Sequence, residues 1–290
     1  MPSKYFIFVT FLLILLEYRC TPEFTSHFSN FIEKNYNVST KIQMERIDLG
    51  WGNWGSFGGK NNNDDVLRKR PIVFIPGAQL RSFMFVGLRN YFVARGYNSS
   101  ELYSTSYGDG GWTLLPFFKL QCDIVKQIRL FIEIVNKYTN QTVDIITYSL
   151  GAPIVRKAIL GGTCVDTNET LGSNITNLVN TFITISGANY GVESCNFLHF
   201  FIPYCNPNNG FYCLSQFIID INNETNSYEG MKTYSFISES DLTSGKNCCG
   251  KNCSELKHTT KNIVLVNSNH LSSISDAIPE IFNIINNATY

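Results

Sequence analysis

The sequence has 290 residues and is 44% hydrophobic, and its 23 basic side chains balance its 23 acidic ones. This length and apolar content are sufficient for one large domain with a buried core. A formal net charge of zero argues against a nucleic-acid partner and against attraction to an acidic membrane surface.

The amino terminus has the pattern of a secretory signal. Lys4 precedes a twelve-residue apolar run, residues 5–16, which is too short to span a bilayer. We predict a signal peptide over residues 1–20 with cleavage near Cys20; an uncleaved anchor is the alternative. No later segment approaches the roughly 18 apolar residues of a membrane helix, so we expect a secreted protein without a stable membrane span after cleavage.

Cysteine usage agrees with export. Removal of Cys20 with the signal leaves eight of the nine cysteines, which predicts four disulfides of undetermined pairing. The cluster Cys248-Cys249-x-x-x-Cys253 lacks the second ligand pair of a zinc site, so disulfides are the better interpretation and no metal is expected. Sequons for N-glycosylation agree with secretion; they begin at Asn37, Asn98, Asn140, Asn168, Asn174, Asn223, Asn252 and Asn287.

The first part of the mature chain leads into a buried strand. Residues 21–70 are polar and rich in Gly and Asn, which predicts a lead-in segment of short elements and loops. The apolar run 71–75 is typical of a buried parallel strand. A helix over 80–95, ended by Gly96, and a second strand over 101–107 are predicted next.

Strands and helices then continue to alternate. Residues 118–138 carry an apolar stripe at spacings of three and four, which predicts the clearest helix. Later strands are predicted over 143–146, 181–185, 233–237 and 263–266, and later helices over 154–159 and 278–285. This alternation predicts an α/β fold over residues 71–290, with a mostly parallel, doubly wound sheet and helices on both faces. Residues 191–228, rich in aromatic side chains and cysteine, break the pattern and predict an insertion.

Ser149 stands where the strand pattern of residues 143–146 gives way to a helix. This arrangement matches a nucleophile elbow, in which a tight turn between strand and helix exposes a serine hydroxyl. The elbow requires small residues two positions before and after the serine. Gly151 provides one of them, while Thr147 occupies a position where glycine is usual. A serine in an ordinary turn is the alternative.

An elbow serine needs a base and an orienting acid, which follow it in the chain order Ser, Asp or Glu, His. His270 comes directly after the strand 263–266 and is the predicted base. Asp241 leaves the end of the strand 233–237 and is the predicted acid, with Glu239 as second choice. His27 precedes the elbow and is disfavoured by this chain order, while His199 and Asp144 are assigned structural roles and His258 a solvent-exposed loop.

The chemistry also needs N–H donors for the tetrahedral oxyanion, usually the amide after the nucleophile and one from an early strand–helix loop. Leu150 follows the nucleophile, and Ala78 lies in the loop after the first strand. Their backbone N–H groups are therefore the predicted oxyanion hole. The alternative is that Pro76-Gly77 is only a turn.

Six stretches in order resemble the class 2 lipase family of secreted α/β hydrolases: 74–77, 106–110, 148–153, 187–191, Ser238-x-x-Asp241 and Asn269-His270. The resemblance covers roughly residue 71 to the end. It implies the α/β-hydrolase fold and hydrolysis of carboxylic esters by a Ser149–Asp241–His270 triad without a cofactor. Where the family usually has His-Gly, this chain has Pro76-Gly77.

The resulting prediction is a secreted lipase or esterase acting on lipid or short-chain esters, with transient contact to a lipid interface. Thr147 and Pro76 motivate an alternative, a catalytically inactive lipid-binding protein on the same fold. A third hypothesis is an acyltransferase that uses the same serine. The aromatic side chains of the insertion are interpreted either as core packed under disulfides or as a lid.

Overall fold

A central β-sheet organises the computed structural model, which describes residues 24–50 and 54–287. The predicted signal peptide and Cys20 lie outside the described residues. The strands are β1 (Ser56–Phe57), β2 (Ile72–Ile75), β3 (Leu102–Thr105), β4 (Val143–Tyr148), β5 (Gly162–Thr163), β6 (Thr170–Gly172), β7 (Val179–Ile185), β8 (Lys232–Ser238) and β9 (Lys261–Leu265).

Seven of these strands form one sheet in the order β1-β3-β2-β4-β7-β8-β9, while β5 and β6 pair in a separate hairpin. In the large sheet β1 is antiparallel to β3 and every other pair is parallel. The six predicted strands correspond to β2, β3, β4, β7, β8 and β9. Strands of two or three residues carry no periodic signal, and β1, β5 and β6 were therefore not predicted.

The helices are α1 (Ser26–Asn35), α2 (Val38–Glu45), α3 (Val86–Val93), α4 (Cys122–Thr139), α5 (Gly151–Leu160), α6 (Cys195–Leu198), α7 (Gln216–Asn222) and α8 (Ser273–Asn287). The prediction of one helix over 80–95 is wrong in its first half, because Ser82–Phe85 forms a 3₁₀ turn before α3. The backbone N–H of Ser82 donates to Ser106 Oγ at 2.9 Å, outside any helical ladder. Helix α5 is capped at its carboxyl end by Gly161, whose φ is 74°.

The two faces of the sheet are covered by different helices, because neighbouring residues of a strand point to opposite sides. Val73, Ile75 and Ile145 pack into the core beneath α4 and α5. Phe74 and Ile146 pack into a second core shared with α3 and α8. The predicted doubly wound α/β fold is thereby confirmed.

The lead-in segment contributes to the first of these cores. Phe28 of α1 is fully buried, and its ring centroid lies 5.3 Å from that of Tyr103 and 4.6 Å from that of Tyr138. Short elements are present in this segment, among them the helices α1 and α2. Phe28 therefore ties residues before the first parallel strand to the body of the sheet.

Four disulfides join the eight cysteines of the described residues: Cys122–Cys164, Cys195–Cys205, Cys213–Cys249 and Cys248–Cys253. The prediction of four disulfides is confirmed, and the cluster near Cys248 is disulfide-bonded. Adjacent Cys248 and Cys249 bond to different partners. The Cys248 bond lies within the loop after β8, and the Cys249 bond links that loop to the insertion. Among the residues described, no helix has the length and apolar character needed to cross a membrane.

The aromatic residues of the insertion divide into two groups. Tyr204 and Phe211 are buried, and Phe211 stacks on Phe118 with ring centroids 6.1 Å apart. Phe197, Phe200 and Phe201 are 78%, 79% and 80% exposed. The core interpretation is right for the first pair and wrong for the other three, while the lid stays a prediction.

A buried ion pair links α5 to the segment before β8. Arg156 Nε lies 2.9 Å from Glu229 Oε1, and both side chains are almost fully buried. The same guanidinium donates to the backbone oxygens of Asn189 and Ile221 at 3.0 and 2.7 Å. Arg156 thus connects the helix after Ser149 to both ends of the insertion.

Arg156→Ala would leave the Glu229 carboxylate buried without its partner. We expect the free energy of unfolding to fall by about 3–5 kcal/mol, since an uncompensated buried charge is strongly destabilising. Urea unfolding measures this value. Lys41→Ala, which removes an exposed ion pair with Glu33, is the control and should unfold like the wild type. A loss below about 1 kcal/mol for Arg156→Ala would contradict the expectation.

Candidate active site

Ser149 occupies the sharp turn between β4 and α5. Its backbone φ is 53°, a left-handed conformation that is uncommon for residues other than glycine. A Cβ on Gly151 would overlap the Pro76 carbonyl oxygen, so the turn closes only with glycine there. The strained serine and the enforced glycine are the features of a nucleophile elbow.

Thr147 fits the position where a smaller residue is usual. Its side chain is fully buried, and its Oγ1 would lie 2.8 Å from a Cβ on Gly151. Since Gly151 has no side chain, the threonine is accommodated without displacing α5. Thr147 Oγ1 has no hydrogen-bond partner in residues 24–50 and 54–287.

The three residues predicted as a triad form a continuous hydrogen-bonded chain. His270 Nε2 lies 2.9 Å from Ser149 Oγ, and His270 Nδ1 lies 2.7 Å from Asp241 Oδ2. Ser149, Asp241 and His270 are 6%, 2% and 8% exposed, so the chain is shielded while the serine and histidine retain some access. The arrangement can move a proton from the serine hydroxyl to the imidazole.

Parallel strands bring these residues together, because their carboxyl ends meet at one edge of the sheet. Asp241 follows β8, and its Oδ1 accepts from the backbone N–H groups of Thr243 and Ser244 at 2.8 and 2.9 Å. These bonds leave Oδ2 to face His270. They fix the orientation of the carboxylate independently of the imidazole.

The backbone of His270 is also anchored. Its carbonyl oxygen accepts from Tyr148 Oη at 2.9 Å and from Ser273 Oγ at 2.7 Å. The Tyr148 ring lies against the imidazole with centroids 5.1 Å apart. Sequence reasoning missed Tyr148, although its position directly before Ser149 was a signal that it would lie near the site.

The other acidic candidates have structural contacts. Glu239 Oε2 accepts from the Asn267 N–H at 2.9 Å, in the loop that leads to His270. Asp144 Oδ1 accepts from Asn180 Nδ2 and from the Thr181 N–H, both at 3.0 Å. Burial raises the pKa of Asp144, against the opposing effect of these hydrogen bonds.

The remaining histidines lie in other contacts. His27 Nδ1 is 2.6 Å from Tyr138 Oη, and His199 stacks on Tyr212 with ring centroids 4.2 Å apart. His258 is exposed. Of the four histidines, His270 alone contacts Ser149.

The segments that carry the two predicted oxyanion donors adjoin the serine. A Cβ on Gly77 would lie 3.1 Å from Ser149 Cβ, so the loop before Ala78 packs directly against the serine. Within the described part of the chain, the N–H groups of Ala78 and Leu150 donate to no other group. Leu150 also precedes the amino terminus of α5, where the helix dipole favours negative charge.

The family model for lipases of class 2 matches residues 69–283. The chain belongs to the class 2 lipase family. The six stretches of resemblance lie within the matched range, and so do the three residues of the predicted triad. A search of curated proteins gives no significant match.

Solved structures share the fold of this chain. The mature form of lipase BlEst2 from Bacillus licheniformis is similar with a TM-score of 0.53 and 15% sequence identity, over 79% of this chain and 97% of that chain. Its propeptide form has a TM-score of 0.55 and 16% identity, over 79% of this chain and 53% of that chain. This chain thus spans about half of the propeptide form. At such identity the likeness shows the fold alone.

One group of side chains in the described residues has the spacing of metal ligands, namely Cys122, Cys164 and Asp166. The two sulfur atoms are joined in a disulfide, so neither is the thiolate that a metal requires. Asp166 Oδ2 instead accepts from the Cys122 N–H at 3.0 Å. This group therefore does not fit a metal.

The two donors to the His270 carbonyl oxygen predict a non-additive pair. Tyr148→Phe or Ser273→Ala should each lower the free energy of unfolding by about 1 kcal/mol, because the other donor still satisfies the buried oxygen. The double variant leaves that oxygen unpaired and should lose more than the sum. Urea unfolding of the four proteins measures the coupling, and strict additivity would contradict the shared role.

Proposed function

We propose that this protein is a secreted serine ester hydrolase that cleaves the carboxylic ester bonds of lipids. The proposal is carried by the 2.9 Å contact between Ser149 Oγ and His270 Nε2, at a serine held in a strained turn. The family membership supports ester hydrolysis as the class of reaction. Ser149, Asp241 and His270 are the proposed triad.

In the proposed reaction Ser149 Oγ attacks the ester carbonyl while His270 Nε2 takes its proton. Asp241 holds the imidazole with Nδ1–H toward Oδ2 and stabilises the imidazolium that forms. The tetrahedral intermediate collapses when His270 gives the proton to the leaving alkoxide. Water then attacks the acyl-enzyme with the same imidazole as base, which releases the acid and restores Ser149.

The N–H groups of Ala78 and Leu150 are the proposed donors to the developing oxyanion. Leu150 directly follows Ser149, and Ala78 directly follows Gly77, which packs against the serine; neither amide has a competing acceptor among the described residues. A donor of this kind is worth about 3 kcal/mol of barrier. The reaction needs no cofactor, since the charge change is met by these amides and by the imidazolium.

Apolar side chains beside the triad support a lipid substrate. Leu242 directly follows Asp241 and Leu271 directly follows His270, and these side chains are 93% and 80% exposed. Solvent-exposed leucines are costly in water but favourable against acyl chains. We propose that they make transient contact with a lipid interface during turnover.

Secretion is proposed from the covalent structure. Four disulfides are characteristic of an oxidising compartment. Asn98, Asn140, Asn168, Asn174 and Asn223 of the sequons are exposed and open to glycosylation. A cleaved signal peptide over residues 1–20 completes this proposal.

The test is labelling of the secreted protein with a fluorophosphonate probe, followed by mapping of the modified residue. We expect modification at Ser149 that is lost in His270→Ala. Ser149→Ala should lower ester hydrolysis by about 10⁴-fold or more, because the nucleophile is removed. Ser275→Ala, which changes an exposed serine of α8, is the matched control and should remain active.

Three outcomes separate this proposal from its alternatives. Undiminished hydrolysis by Ser149→Ala would overturn the assignment of the nucleophile. A folded protein that binds fatty acids but is not labelled would favour the lipid-binding hypothesis. Formation of a new ester in preference to free acid, when an acceptor alcohol is added, would indicate an acyltransferase.

A further inference from the structure

The loop that carries Ala78 has an uncommon backbone conformation. Gln79, directly after the proposed oxyanion donor, has a φ of 61°. A non-glycine residue in this left-handed region is strained by roughly 1–3 kcal/mol and persists only when its surroundings hold it there. The backbone conformation of the segment that carries the Ala78 N–H therefore depends on what packs against Gln79.

Residues 108–113, here called the brace loop, pack against this segment at three points. Gln79 Nε2 donates to the Thr113 carbonyl oxygen at 3.0 Å, and Arg81 Nε donates to the Gly110 carbonyl oxygen at 2.9 Å. Gly111 has a φ of 93°, and a Cβ there would lie 2.7 Å from the Gln79 carbonyl oxygen. Backbone thus lies directly on backbone between the two loops.

Asp109 determines the shape of the brace loop. Its Oδ1 accepts from the N–H groups of Gly111 and Trp112 at 3.0 and 3.1 Å. Its Oδ2 accepts from the N–H and the hydroxyl of Thr113, both at 2.6 Å. Four donors around one carboxylate hold the loop tightly, because hydrogen bonds to a charged acceptor are stronger than neutral ones.

The ionisation of Asp109 agrees with this role. Partial burial raises the pKa of the carboxyl, but the hydrogen bonds from Thr113, Gly111 and Trp112 outweigh it and hold the pKa below its usual value. The depressed pKa means that the charged form is favoured in the folded protein. The stabilisation is present above the unfolded pKa and is lost as the pH falls through the folded pKa.

We propose that Asp109 is a positioning residue for the oxyanion hole. Its carboxylate folds residues 110–113 into the surface that supports Gln79 and Arg81, and this support aims the Ala78 N–H at the oxyanion. The inference rests on the proposed hydrolase function. It assigns a role to the stretch 106–110, which the triad and the oxyanion donors leave unexplained.

A mere turn-forming role for Asp109 predicts lower stability and nothing specific to the transition state. An oxyanion role predicts that transition-state binding weakens while ground-state binding does not. The two roles are therefore separated by the split between kcat and KM. A trifluoromethyl ketone, whose serine adduct carries an oxyanion, reads the same difference as an inhibition constant.

The experiment compares Asp109→Ala and Asp109→Asn with the wild type on a soluble p-nitrophenyl ester. Asp109→Ala should lower kcat by about 10- to 100-fold, with KM changed by less than about twofold, because a misplaced donor acts on the transition state. The inhibition constant of the ketone should rise by the same factor. Asp109→Asn should have a smaller effect, since the amide oxygen can still accept from Gly111 and Trp112.

Asp64→Ala is the charge-matched control, at an exposed position in the loop before β2, and should keep wild-type kinetics. If Asp109→Ala fails to fold, Thr113→Val takes its place, because it removes one donor to Asp109 and keeps the Thr113 carbonyl. Folded Asp109→Ala with unchanged kcat and unchanged ketone inhibition would overturn the proposal.

Amide hydrogen exchange separates this inference from the proposed function. Exchange in a peptide covering residues 76–81 should be faster in Asp109→Ala than in the wild type. Unchanged exchange would overturn the support by Asp109. If exchange is faster in Asp109→Ala but the wild type hydrolyses no ester, the support by Asp109 is upheld and the proposed function is overturned.

Discussion

The turn from β4 into α5 places Ser149 at a φ of 53°, and the neighbouring segments of the sheet hold it there. The Ser149 N–H donates to the Ile185 carbonyl oxygen at 2.9 Å, and the Ser149 carbonyl oxygen accepts from the Ala188 N–H at 3.2 Å. Gly77 and Gly151 allow backbone to approach on the other sides. The strain is confined to the backbone of Ser149, but the groups that hold this backbone in place belong to several segments at the centre of the sheet. The centre of the sheet therefore stabilises the turn as a whole.

The loop of the acid is supported through the insertion. The Glu193 N–H donates to the Ser244 carbonyl oxygen at 2.9 Å, and Glu193 Oε2 accepts from the Lys246 N–H at 2.7 Å. Ser244 in turn donates its N–H to Asp241. The disulfide Cys213–Cys249 adds a covalent link between the same two regions. The insertion therefore has a structural role around Asp241, besides presenting exposed aromatic side chains.

Exposed apolar side chains lie next to two residues of the proposed triad. Leu242 and Leu271 adjoin the acid and the base of the proposed triad and remain largely exposed. Apolar side chains exposed beside reactive groups suit an apolar substrate, because contact with acyl chains removes their surface from water. The proposed chemistry and the proposed substrate class are consistent for this physical reason.

Local patterns in the sequence determined the order of strands and helices, the elbow at Ser149 and the place of His270 after β9, because periodicity and chain order need no knowledge of distant contacts. Tertiary structure determined that Asp241 contacts His270 and that Glu239, two residues earlier at the end of the same strand, does not. It also decided the disulfide pairing, the exposure of Phe200 beside the burial of Phe211, and the support of Gln79 by the brace loop. Each of these depends on segments far apart in the chain, whose meeting is determined by packing of the whole sheet and carries no local signature.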